Sequence, residues 1–594
     1  MTSTDRLAGM ALFAALAAAV PGASVHAQTP APQTAPESEA DRRLKQLYDA
    51  YSTWDAKEFG YFEDSRGENK PADYLPRVDP ATHLRRAAFL RQTLADLDRI
   101  PTIALSTEEQ VNAAVLRNII DAALSRAAFR DWEMPFNSDS SFWTYLDSRQ
   151  GFQTAAEYRR YIARLRAVPA MFDAQIENMR AGLKRGFSVP VVTLKGRDAS
   201  IAPFAEPDLA KNPFNRAFTD MPATIPAAEQ AALQLEGRQA IEGAVIPAYR
   251  KLLAFYRTEY VPRARTTIAV RDMPDGDTFY RAQIKEFTTL DRSPEEIHQI
   301  GLKEVARIDA EMRQTMKDSG FKGNFEAFLK FLRTDPQFYA RTPDELLGVS
   351  AYVAKRADGK LGDTIGLLPR RRFAIIPVPD ALAPFYTAGR GGLESCQMNT
   401  YNLPSRPLYN IPALTLHECA PGHSLQAALS EERKAMPAFR RNIYFSGFGE
   451  GWGLYSEWLG IGMGIYRTPY ENFGRLSYEM WRAARLVIDT GIHRYGWSRD
   501  QAVQYLASHT ALSQHEVETE VDRYISWPGQ ALAYKLGEMT IRRLRADAEA
   551  ALGPRFDQRT FHDAILALGS VPLPLLEQRI GEYIKQAQAE PPAP

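Results

Sequence analysis

The residues best equipped for chemistry lie in two short runs. The first reads Thr415-Leu416-His417-Glu418-Cys419-Ala420-Pro421-Gly422-His423-Ser424-Leu425-Gln426, and the second reads Gly449-Glu450-Gly451-Trp452-Gly453-Leu454-Tyr455-Ser456-Glu457. Two imidazoles and a carboxylate form a donor set for Zn2+, and a further carboxylate can take a proton from metal-activated water. That is the parts list of a zinc metallopeptidase. The spacing is not the usual H-E-x-x-H, because His417 and His423 are six apart. Six residues are roughly 240° around an ideal helix, so an unbroken helix could not aim both at one ion. Pro421-Gly422 supplies a break: proline has no amide for the carbonyl of His417, and glycine can turn the chain back. His417 is therefore expected on the last helical turns before a kink, with His423 just beyond it. Two ordinary histidines near a helix end would read the same way, and spacing alone does not separate the two readings.

Glu450 and Glu457 are seven apart, about two helical turns, and so share a face. Glu450 would complete the metal set with His417 and His423, while Glu457 would accept the outward N–H of a ligand histidine and fix its tautomer. Spacing leaves those two roles exchangeable. Glu418 is the expected general base. Only two cysteines occur, Cys396 and Cys419, and a bridge and two separate thiols both remain open. Cys419 is a poor ligand candidate, about 200° of helix away from His417.

These runs resemble the bacterial domain-of-unknown-function 885 family, whose pattern is close to H-E-x-x-P-G-H-x-x-Q followed by E-G-W-x-L-Y-x-E. The stretches Ala484–His493 and Glu520–Tyr534 are further matches, and the resemblance covers nearly the whole chain after its leader. The family looks like a distant, largely helical relative of zinc peptidases with a deep channel, such as the angiotensin-converting and oligopeptidase groups. The resemblance implies one Zn2+ per chain and a peptide substrate. It also implies a strand beside the metal helix, with Gln397, Asn399 and Tyr401 pairing with substrate backbone; a plain hairpin packed on helices is the alternative. Donors to an oxyanion are sought among His493, Arg523, Tyr524 and Tyr534, and only the resemblance ranks Tyr534 first. Arg523 could instead hold a substrate carboxylate.

Other elements must position these groups. Met1 to Ala27 reads as a secretory leader, with Arg6 before an apolar Leu7–Val20 and a small-residue cleavage site at Val25-His26-Ala27. Residues 28–40 read as a flexible spacer. An N-terminal helical lobe over 41–262 and a C-terminal catalytic lobe over 263–594 follow, together one family-wide domain of about 41–590. The expected class is mainly α, with a deep cleft and a short β element beside the metal helix. Lys plus Arg equals Asp plus Glu at 72 each, so no overall field favours nucleic acid or an anionic membrane. With no second apolar span, a periplasmic or secreted protein without stable membrane insertion is expected.

Capping boxes are expected at Ser106–Glu109, Thr154–Glu157, Ser293–Glu296 and Ser498–Gln501, with Thr342–Glu345 opening a further helix. Alternation over Arg265–Leu290 predicts short strands around a turn at Met273–Gly276, and Pro247 should kink a helix over Glu229–Tyr256. His298 reads as a packed residue, or by resemblance a group on the substrate side. The alternative to a peptidase is a catalytically inactive exported protein that binds peptides or helps envelope assembly. An intact Glu418 favours the enzyme, since a structural metal site has no use for a spare carboxylate beside its ligand.

Overall fold

A computed structural model describes residues 37–64, 69–144, 146–147, 151–380, 383–441 and 443–589. The leader 1–27 and most of the spacer lie outside the described residues. The protein is mainly α, with five short strands among the described residues. No described helix is long and apolar enough to cross a membrane.

Helices Glu39–Phe59, Pro80–Asp98, Thr107–Phe129 and Ala155–Arg185 open the chain. The last starts in a complete capping box, where Thr154 and Glu157 satisfy each other's amides. Its stripe Phe172, Ile176, Met179 and Leu183 enters a core that runs from Phe136 to Ala264. Ser106 departs from expectation. It does stand before a helix, but its side chain makes no cap bond. Glu109 turns inward instead to Asn112 and Tyr48, and the Ser106 amide is met by Asp41. At Pro247 the helix is interrupted by a wider turn over Ile241–Val245 and resumes as Ile246–Phe255. Shifting the ladder by one residue accommodates a ring that has no amide to give.

The strands expected over Arg265–Leu290 are not formed. A turn at Met273 closes on Gly276, and Gly276–Thr288 is a helix. The buried set Gly276, Phe279, Tyr280, Ile284 and Thr288 repeats every three to four residues, a helical period that prevails over the apparent alternation. Its aromatic face packs with Leu486, Leu532 and Leu536. The boxes at Ser293 and Ser498 form as expected, and Thr342 caps the helix Pro343–Thr364.

At the centre lies Pro469–Thr490, buried at every position from Phe473 onward. Arg475, Glu479, Arg482, Arg485 and Asp489 fall three to four residues apart on it, so a charged stripe runs down one side of a buried helix. Each has neighbours of matching chemistry. Glu479 meets Lys535 at 2.9 Å and Arg475 at 2.9 Å, while Asp489 accepts from the Tyr280 hydroxyl and from the Gly529 amide. Burial pushes the Asp489 carboxyl up to about 7, further than those bonds pull it down. The folded protein then holds a proton that the unfolded chain has released between about pH 4 and 7, so stability falls as pH rises through that window. Asp489→Asn should flatten this slope, read as a smaller loss of thermal stability between pH 5 and pH 8; an unchanged loss would assign the slope elsewhere.

The second sheet has strand order β3-β5-β4, with β3 Ala374–Pro377 parallel and β4 Gly389–Arg390 antiparallel to β5 Ser395–Met398. It lies beside the helix Ile411–Glu418, to which a Cys396–Cys419 disulfide ties it. A separate antiparallel pair, β1 Tyr61–Glu63 and β2 Asn69–Pro71, sits after the first helix.

Candidate metal centre

The helix carrying His417 stops at Glu418 because the chain folds under its own end. The Gly422 amide reaches back to the carbonyl of Leu416 at 3.0 Å, and a Cβ at Gly422 would lie 1.9 Å from the carbonyl oxygen of His417. No other residue fits there unchanged. The next helix begins at His423, and the two imidazoles meet edge to face with centroids 4.8 Å apart.

The glutamate helix Ser446–Gly462 crosses beneath them. Glycines let it come close: a Cβ at Gly451 would meet the backbone of Gly537 at 2.6 Å. That approach seats the helix Ala533–Leu552 and its Tyr534 beside the site. Glu450 Oε2 lies 3.5 Å from His417 Nε2 and 3.3 Å from His423 Nε2. Among the described residues, His417, His423 and Glu450 are the ones whose ligand atoms all fall within 4.8 Å of one another. Bonds of ~2.0–2.1 Å to a tetrahedral zinc imply ligand separations of ~3.3 Å, so the donor set fits that ion. Glu457 is on the other side of the ring, accepting from His417 Nδ1 at 2.8 Å. This bond turns Nε2 toward Glu450 and His423, and it separates two roles that spacing left exchangeable.

Charge agrees with geometry. Burial opposes a proton on His417, but its bonds to Glu450 and Glu457 and the nearby Glu418 hold its pKa up at about 9. Burial also pushes the Glu450 carboxyl up, and the two imidazoles more than reverse this, holding it well below the usual range. Three carboxylates around two imidazoles favour a cation between them. Glu418 is outside the ligand set; its Oε2 accepts from the Gly391 amide at 2.5 Å, and it faces the same cavity of about 720 Å³.

The close fit extends to Gly453. A methyl there would sit 2.7–3.0 Å from Cε1, Nε2 and Nδ1 of His417. Gly453→Ala should therefore displace that imidazole while leaving helical content intact, and lower metal affinity by about tenfold or more, as loss of ligand support does. Equal metal affinity in the two proteins, measured by competition with a chelating dye, would show that His417 is not held from that side.

Of the proposed oxyanion donors, Tyr534 and Arg523 line the cavity. Tyr534 has its ring 6.3 Å from that of His417, and its hydroxyl accepts from Arg523 at 3.2 Å. His493 and Tyr524 do not belong to the site. His493 is fully buried: its Nδ1 accepts from the Val270 amide and its Nε2 donates to the carbonyl of Tyr524, so both nitrogens are used as a strut. Burial drives its pKa down to about 3. Tyr524, also fully buried, takes bonds from Trp481 and Arg485. Each lies on an inward helix face, which sequence spacing cannot distinguish from a cleft face. His298 bonds Thr490 at 2.8 Å, away from the metal residues.

The strand assignment also needs correction. Gln397 lies in β5, the middle strand, so its backbone is already flanked by β3 and β4. Asn399 is buried and donates to the carbonyls of Ala383, Tyr386 and Thr387, and Tyr401 lies past the strand end. The sheet edge at the cavity is β4, with Gly389 and Arg390 in the wall. Three further residues stand at the site. Tyr444 donates to Glu450 Oε1 at 2.9 Å, and Arg482 and Arg485 also line the cavity. The arginines left a trace, as charges inside the apolar run Met480–Ile488; Tyr444, in a connecting loop, left none.

A family model described as "Bacterial protein of unknown function (DUF885)" matches residues 55–580. Among solved structures, a "putative lipoprotein" from Colwellia psychrerythraea is 25% identical, with a TM-score of 0.83 over 92% of this chain and 100% of the other. Another so described, of unknown function and from Shewanella oneidensis, is 16% identical, with a TM-score of 0.66 over 91% of this chain and 98% of that one; at that identity the likeness is one of fold. No curated protein matches.

Proposed function

The chain belongs to the DUF885 family, bacterial proteins of unknown function, and from the chemistry of its site we propose that it is a zinc-dependent peptide hydrolase. One observation carries the reading: His417, His423 and Glu450 converge while a fourth group, Glu418, shares their cavity without joining them. A zinc ion held there would supply a Lewis acid that acidifies water and polarises a carbonyl. The residues of the chain do the rest. Glu418 takes the proton from the attacking water and returns it to the leaving amine as the C–N bond breaks. Glu457 keeps His417 in the tautomer that presents Nε2. Tyr534 stands in the wall as the donor to the carbonyl oxygen, its hydroxyl accepting from Arg523 and so free to give its own proton. The edge of β4 offers extended backbone to a peptide, which favours substrates with varied side chains.

We place the protein in the periplasm or outside the cell. The apolar run Leu7–Val20 after Arg6 supports export, and so does the description of the Colwellia psychrerythraea relative as a putative lipoprotein. The function is tested by incubating purified, metal-quantified protein with a mixed peptide library and mapping every new terminus. Cleavage that stops on chelation and returns with zinc is expected. A metal-loaded protein that produces no new termini would overturn the proposal in favour of the binding protein.

A further inference from the structure

The cavity wall facing the metal residues holds three guanidinium groups with unused hydrogen-bonding capacity. Arg482 and Arg485 project from the buried central helix and are 3% and 1% exposed; Arg523 comes from the helix Gln514–Ser526. Arg482 meets Glu457 at 3.3 Å and the Tyr478 carbonyl at 3.3 Å. Arg485 meets Glu520 at 2.9 Å and the Tyr524 hydroxyl at 3.1 Å. Arg523 meets Gln530 at 2.8 Å, Tyr534 at 3.2 Å and Glu520 at 3.6 Å. After these contacts Arg482 Nε, Arg485 Nη1 and Arg523 Nε are each buried with no hydrogen-bond partner among the described residues.

Charge is also unbalanced. Three cations face two carboxylates, Glu457 and Glu520, and Glu457 is already shared with His417. Of the other acidic groups in the cavity lining, Asp139 is exposed, Glu418 and Glu450 stand with the two histidines, and Glu431 lies on the helix His423–Glu432. Buried cations without full partners are costly, and planar guanidinium forks match a carboxylate. Their position relative to the metal residues is fixed by Tyr534, whose ring is 6.3 Å from His417 and 4.3 Å from Arg485. An extended peptide advances ~3.3–3.6 Å per residue, so about three residues at most separate the two groups.

We infer that Arg482, Arg485 and Arg523 form a subsite for the C-terminal carboxylate of a short peptide, which restricts cleavage to bonds within about three residues of that end. The inference rests on the hydrolase reading for its consequence but not for its binding step. A peptide bound this way is trimmed from its C-terminal end, and long chains without a nearby free end are poor substrates.

The test uses Ala-Ala-Phe, its N-acetylated form and its C-terminal amide as probes. Each is titrated calorimetrically into zinc-loaded Glu418→Gln protein, chosen so that turnover does not interfere, and again after metal removal. Both free acids should bind about tenfold tighter than the amide, the scale of a charge-assisted bond. Arg523→Gln should bring the three probes close together with zinc content unchanged, and Arg485→Met should do the same. The acid-to-amide comparison needs no arginine variant, so misfolding of either cannot rescue the idea. Equal binding of acid and amide, no binding of any probe, or a preference that survives both substitutions would overturn it. The preference should persist after metal removal; a preference for acids in protein that takes up no zinc when zinc is supplied supports the subsite while sinking the hydrolase.

Discussion

Glu418→Gln should leave a folded protein with its full metal content and cut peptide turnover by roughly 10²–10⁴-fold, the range for a positioned general base. The substitution keeps size and most hydrogen-bonding capacity but removes the ability to hold a proton in transit. Its one protein contact of note is the Gly391 amide at 2.5 Å, which a glutamine oxygen can still accept. Glu418 is not among the residues whose donor atoms converge, so metal binding should not report the change. Hydrolysis rates on variant and parent, loaded identically, decide it. Parental turnover in a zinc-holding variant would remove Glu418 from the mechanism.

The ligands should behave in the opposite way. Glu450→Gln removes the one anion among three donors, and His423→Ala removes a donor outright; each should reduce bound zinc to a small fraction of the parental amount, with activity falling in proportion. Glu450→Gln loses more than charge, because Tyr444 also donates to that carboxylate. Glu457→Gln is the informative contrast. Its carboxylate orients His417 from the Nδ1 side and is also 3.3 Å from Arg482, so metal affinity should weaken by about 10–100-fold rather than vanish. Metal analysis after dialysis against a graded chelator series separates the outcomes. Full occupancy in both His423→Ala and Glu450→Gln would place the metal elsewhere.

What the sequence discloses about such a site is what local rules govern. His417, His423 and the Pro421-Gly422 break lie within seven residues, and the kink follows from backbone chemistry that needs no distant partner. Glu450 and Glu457 share a face by helical period alone. Capping at Thr154, Ser293 and Ser498 is equally local. At Ser106 the signature is present, but long-range partners claim its members: Asp41 takes the amide, and Tyr48 and Asn112 take Glu109.

The misreadings share a cause in non-local packing. Gln397 is a plausible substrate strand until sheet order puts β5 in the middle, and that order depends on β3, about twenty residues earlier. His493 and Tyr524 sit near helix ends in a family-like stretch, yet their side chains point inward to Val270, Trp481 and Arg485. Arg482 and Arg485 are illegible in the sequence for the converse reason. Arginines in a helix usually face solvent, and only the burial of the whole central helix turns them toward the cavity.

One metal ion should sit among His417, His423 and Glu450, and crystals of the purified protein measured on both sides of the zinc absorption edge would locate it. A single anomalous peak should appear there, within bonding distance of the Nε2 atoms of both histidines and of the Glu450 carboxylate, and vanish below the edge. Zinc-supplemented crystals with no peak among those three residues, or with their only peak elsewhere, would contradict the account.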